Sequence, residues 1–182
     1  MQRWSSFGAS FAAVALLLGP ACDSSTAGHA TAKPTPSISA LAGGCDGTVL
    51  TDAEPPAWAQ GGWSHKKGDP WPVPWAMGSG GDAVAFLFAI HLVAGGSPRS
   101  DGSSNKILWV VQDPVVSDFF VRAHPLASSG PLIEVAGGPS IVDAPTQGCW
   151  TFQVSWLAGG QRQRTSTLGL DVLPKGSLPA SA

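Results

Sequence analysis

At 182 residues the chain has room for one domain of ordinary size, about 100 to 150 residues, plus targeting and linker segments. Only 12% of residues are charged, about half the usual share, and the net charge is −2 with Lys and Arg scattered, so there is no basic footprint for nucleic acid. Gly (23) and Pro (16) together exceed a fifth of the chain, a composition that suits many short strands and turns rather than long helices.

Residues 1–21 read as a signal peptide: Arg3 near the start, then "FGASFAAVALLL", an uncharged apolar run about as long as a signal h-region and too short to span a bilayer. "GPAC" then sets Cys22 behind the small residue Ala21, which looks like a bacterial lipobox, where the thiol takes a diacylglycerol and becomes the mature N-terminus. The pattern departs from a lipobox in one respect, since Leu18 lies four residues before the cysteine and Pro20 intervenes. The competing reading is ordinary cleavage after "AGHA" at Ala30, with Cys22 discarded. Either way Cys45 and Cys149 remain as an even pair in an oxidising compartment, which reads as one disulfide.

Residues 22–44 form the lipidated cysteine and a Ser/Thr/Pro/Ala spacer, too poor in bulky apolar residues to fold, and therefore a disordered, flexible linker that would hold a domain clear of the membrane. The folded part is expected over 45–174, with a flexible tail at 175–182.

Within it the apolar runs are short and punctuated by turn residues. "AVAFLFAIHLV" (83–93) is expected as one inner strand covered on both faces, with Val84, Phe86, Phe88, Ile90 and Leu92 sharing a face. "KILWVVQ" (106–112) is a second strong strand, and "FFVRAHPL", "PLIEV" and "PSIV" are weaker ones. "CWTFQVSW" (149–156) alternates most cleanly: Trp150, Phe152, Val154 and Trp156 point one way and Cys149, Thr151, Gln153 and Ser155 the other. "TSTLGLDVL" (165–173) can pair with it across "LAGGQRQ". About seven strands in about 130 residues predict an all-β fold, an immunoglobulin-like antiparallel β-sandwich. Because Cys149 lies opposite the aromatic stripe, its bridge to Cys45 is expected across an outer face or edge, not through the core. A catalytic thiol would need a neighbouring base and a lowered pKa, so a structural bridge is the expected role.

The stretches "SNKILWVV", "GPLIEV" and "PSIVDAPTQGCWTFQVSW", with "HLVAG" before them, resemble a group of uncharacterised exported or lipid-anchored proteins of actinobacteria and related soil bacteria. The resemblance covers roughly residues 78–173. It implies a small β-sandwich and transfers no activity and no catalytic residues.

"PPAWAQGGWSHKKGDPWPVPW" (55–75) carries Trp58, Trp63, Trp71 and Trp75, the candidate ligand-binding residues. Exposed indoles on a rigid loop could stack on sugar rings or hold a peptide. The alternative, which is preferred, is a lid covering the sandwich edge. His65, His91 and His124 are isolated and lack metal-ligand spacing, and "DGSSN" (101–105) reads as a hydrogen-bonded turn rather than a calcium loop. No GxSxG occurs, and Asp52 with Glu54 is the close acidic pair from which a hydrolase could be built. The expectation is thus a cell-envelope lipoprotein on the outer face of the membrane, non-catalytic, without cofactor or metal, meeting a cell-wall, carbohydrate or protein partner. A secreted hydrolase using carboxylates near the Trp-rich loop is the alternative.

Overall fold

The computed structural model describes residues 40–99, 101–113, 118–128, 133–159 and 161–177. The signal peptide, the lipidation of Cys22, most of the spacer and the end of the tail lie outside them. The described chain is all-β apart from one 3-10 turn at Ala57–Ala59, and two sheets pack face to face as a β-sandwich.

Eleven strands occur among the described residues: β1 (Gly44–Cys45), β2 (Leu50–Thr51), β3 (Trp75–Met77), β4 (Ala83–Leu87), β5 (Leu92–Val93), β6 (Lys106–Val111), β7 (Phe120–Pro125), β8 (Ile133–Ala136), β9 (Pro139–Ile141), β10 (Gly148–Ala158) and β11 (Arg162–Leu173). The first sheet runs β1-β11-β10-β7-β8, with β5 added to β11. The second runs β2-β3-β4-β6-β9. All pairings are antiparallel except the short β5–β11 contact, where Leu92 and Val93 face Val172 and Leu173.

The period-2 pattern of β10 explains the core. Trp150, Phe152, Val154 and Trp156 are all fully buried, and Leu168, Leu170 and Val172 of β11 join them. Ala83, Ala85 and Leu87 of β4 and Ile107 and Trp109 of β6 close the layer from the second sheet. Small alanines opposite large indoles let the two layers interdigitate, and the Trp109 and Phe152 rings meet at 5.7 Å. Each fully buried side chain of Leu or Phe size contributes about 1.5–3 kcal/mol. The indole N–H groups of Trp109 and Trp150 stay hydrogen-bonded, to the Ser140 hydroxyl at 2.9 Å and the Thr146 carbonyl at 2.9 Å.

The expected single strand over 83–93 is corrected. The chain leaves the second sheet after Leu87, crosses over, and enters the first at Leu92. Phe88 and Ile90, expected to be covered, are 46% and 49% exposed because they lie in that crossover. The crossover is tied down by Asn105, fully buried, whose amide side chain pairs with both backbone groups of Val93, at 3.0 and 2.8 Å. An alternating apolar pattern cannot show that a strand changes sheets midway.

Cys45 and Cys149 are bridged, with Cα atoms 5.9 Å apart. Both cysteines belong to the first sheet, so the bond lies on one sheet and does not cross the core between sheets. Gly169 of β11 makes the approach possible: a Cβ there would collide with the Cys45 carbonyl, so β1 can lean over β11 toward β10 only because the position is bare. The sandwich also takes in residues before Cys45. The Leu41 amide donates to the Leu50 carbonyl at 2.8 Å, and the Asp171 amide to the Gly43 carbonyl at 2.8 Å.

Candidate functional site

The Trp-rich segment folds onto the outer face of the second sheet. Val84 and Phe86 of β4 and Leu108 and Val110 of β6 point away from the main core, and the segment covers them. Trp71 and Trp75 are buried at 4% and 8% exposure, while Trp58 and Trp63 are half-buried against the same cluster. The lid therefore covers the sheet's face, where central strands present apolar side chains to both sides, rather than an edge. The Trp75 indole donates to the Ala53 carbonyl at 2.7 Å, and the Trp71 amide to the Asp52 carbonyl at 2.7 Å. All four candidate ligand-binding tryptophans are brought together, as a second small core.

Where the lid ends, the arrangement is more open. Trp63 stacks on Phe88 with centroids 6.0 Å apart and planes at 20°, and leans on Phe86 at 5.1 Å. The Lys106 ammonium sits over the Phe88 ring at 4.8 Å. Phe88 thus has both an indole and a cation against it, which leaves its ring a poor platform for a sugar. Beside it, Ile141 of β9 is 50% exposed opposite Lys106 in the ladder.

The residues from which a hydrolase could be built serve the lid. Glu54 is exposed and its carboxylate accepts the Gln60 side-chain amide at 3.3 Å, while the Asp52 backbone receives Trp71. His65 packs on Trp71 at 4.6 Å, His91 lies in the crossover, and the His124 ring meets the neighbouring Pro125 carbonyl at 2.9 Å. These groups do not converge, and among the described residues no three His, Cys, Asp or Glu side chains cluster where a metal could be held. The "DGSSN" turn bonds to itself, its Asp101 carboxylate accepting the hydroxyl and amide of Ser103 at 2.7 and 3.0 Å and pairing with buried Arg99 at 3.2 Å. These contacts, the Ser103 hydroxyl foremost, hold the Asp101 carboxyl below the usual carboxylate range.

A set of ion pairs joins the two sheets. Arg164 of β11 bonds Asp82 at 2.5 Å and Asp113 at 3.1 Å, linking the first sheet to two turns of the second. Asp82 is nearly buried, with 8% of its side chain exposed, so the pair acts as a clamp between sheets.

Residue-by-residue reading of the sequence missed a groove of about 390 Å³ beside β11, lined by residues from both sheets. Thr151 of β10 and Thr167 of β11 form its floor, with walls from the Asp46–Val49 turn between β1 and β2 and from Met77–Ser79, the end of β3 and the turn after it. Its residues come from four separate segments, so no linear spacing announces it. The signal that pointed toward it was the polar side of "CWTFQVSW", which contains Thr151. Comparison of the chain with protein-family models, with curated proteins and with solved structures finds no match.

Proposed function

We propose that this chain is a cell-envelope lipoprotein, exported and held outside the cell membrane by a diacylglycerol on Cys22, whose non-catalytic β-sandwich works as a tethered binding or structural domain. The leader, the unfoldable spacer composition and the resemblance to exported proteins support the reading from the sequence.

The observation that carries it is the position of the disulfide. The chain enters the sandwich through the backbone bonds of Leu41 and Gly43 and then β1, two residues long and at the edge of its sheet. Backbone hydrogen bonds worth about 0.5–1.5 kcal/mol each would peel readily under a pull from the N-terminal side. The Cys45–Cys149 bond passes that pull to β10, the middle strand of the β1-β11-β10-β7-β8 path. A domain on a tether needs a covalent anchor at the junction, and such a bond persists in an oxidising compartment.

The test is the intact mass of the protein purified from its own envelope, with and without reduction. The reading expects a chain starting at a diacylated Cys22 that gains two hydrogen atoms on reduction. A soluble chain starting after Ala30 with free thiols would overturn it.

A further inference from the structure

We propose that the groove between the Asp46–Val49 and Met77–Ser79 turns is a saccharide-binding site. Its volume of about 390 Å³ falls within the span of small-molecule sites, about 300–1,000 Å³. The inference adds a ligand class to the binding role and does not depend on the lipid anchor.

The groove is preformed. Thr48 Oγ1 accepts the Gly169 amide at 2.7 Å, fixing the first turn to the floor strand. On the other wall the Ser79 amide donates to the Thr167 carbonyl at 2.7 Å, and Ser79 Oγ accepts the Thr167 amide at 3.1 Å and meets Thr167 Oγ1 at 3.0 Å. The bridge at Cys45 holds the residue next to Asp46. Gly78 is packed so closely on the Ser166 hydroxyl that a Cβ would collide with it. Walls held this way lose little freedom when a ligand enters, so more of the contact energy appears as affinity.

The lining selects the ligand. Asp46 is the charged residue of the lining, and its carboxylate makes no hydrogen bond or ion pair among the described residues. That charge repels phosphates, sulfates and carboxylates. Among the described residues the Thr151 hydroxyl is equally unengaged, Thr48 accepts a backbone amide and keeps its own proton to donate, and of the Ser79 and Thr167 hydroxyls one donates to the other, so that the pair keeps one proton to donate. A strong two-oxygen acceptor beside several hydroxyls matches the neighbouring O–H groups of a sugar ring, each both donor and acceptor. Val49, 51% exposed, and Met77 supply apolar surface for the ring's C–H face. A divalent cation would want about six to eight oxygen ligands with several carboxylates, and here there is one.

Asp46 sits at φ 50°, a left-handed backbone that Asp and Asn tolerate and bulkier residues do not. Asp46→Asn therefore removes the charge and keeps the turn, and Thr151→Val removes one hydroxyl without changing shape. The full chain, in detergent, is screened on an array of short neutral, N-acetylated and amino-sugar oligosaccharides, and any retained sugar is titrated calorimetrically. The expected result is binding of at least one neutral saccharide, weakened about tenfold by each variant, with Lys106→Ala at the far end of the sandwich unchanged. Equal melting temperatures for all forms exclude misfolding as the cause. An array without retained sugar overturns the proposal, as does binding that ignores both substitutions. Retention of amino sugars alone, lost in Asp46→Asn, also overturns it and makes the groove an amine site. The mass measurement on the envelope protein stands or falls separately.

Discussion

Replacing Cys45 and Cys149 together by alanine removes one covalent link and leaves the hydrogen bonds that flank β1 standing. The Asp171 amide still reaches the Gly43 carbonyl at 2.8 Å, the Gly169 amide still reaches Thr48 Oγ1 at 2.7 Å, and Leu41 still pairs with Leu50. The folded state changes little, and the cost falls on the unfolded chain, which regains the conformations that a closed loop denies it. For a sequence separation of 104 residues the loop-closure entropy amounts to about 4.7 kcal/mol at room temperature. That is a large part of the stability of an ordinary domain, about 5–15 kcal/mol. Urea unfolding followed by tryptophan fluorescence compares the oxidised, reduced and double-alanine proteins. The midpoint should fall in the last two by similar amounts, with a steeper denaturant dependence because the open chain exposes more surface. A loss below about 1 kcal/mol with an unchanged slope would refute the reasoning, since the unfolded chain would then already keep β1 near β10 without the bond.

Asn105→Leu should cost about 2–4 kcal/mol, because the buried N–H and carbonyl of Val93 lose their partners; thermal unfolding measures it, and a near-neutral result would mean that water replaces the side chain. Arg164→Met should destabilise by about 2 kcal/mol, chiefly by stranding the Asp82 carboxylate, and adding Asp82→Ala should recover part of that loss; additivity in the double-mutant cycle would deny the clamp. Asp101, held below the usual range by Ser103 and then by Arg99, stabilises the fold above its unfolded pKa, and that contribution is lost as pH falls through its lower folded value. Carboxyl carbon NMR should show this depressed titration in the native protein and a rise toward the ordinary value in Ser103→Ala; an unmoved midpoint would remove the serine as its cause.

Much of the fold could be read from residue order wherever one strand kept one environment. In β10 one face meets the core and the other meets polar surroundings, so Trp150, Phe152, Val154 and Trp156 alternate with polar partners and the strand is legible. The same face logic placed Cys149 outside the core and led to a bridge within one sheet. Residues 83–93 were misread because Val84 and Phe86 are apolar for the lid while Ala83 and Ala85 are apolar for the core, so the pattern carries no mark where the chain changes sheets. The tryptophan segment was visible as a unit, but four indoles in a loop have the same composition whether they open to a ligand or close on Phe86. Of the groove only the polar side of β10, with Thr151, was visible, since Asp46, Ser79, Thr151 and Thr167 become neighbours only after both turns fold against β11.

Among the described residues β11 is the last strand in the chain, yet it pairs with β1, β5 and β10. A polypeptide delivered N-terminus first therefore carries β1 and β5 without neighbours until residues 162–173 have arrived. In the meantime β3 and β4 can pair in the second sheet and β7 with β8 and then β10 in the first, but β1 and β5 join only once β11 is present, and such long-range pairing is slow. The ordering also makes the C-terminal strand a poor place to shorten the chain, since its loss takes the neighbours of three strands at once.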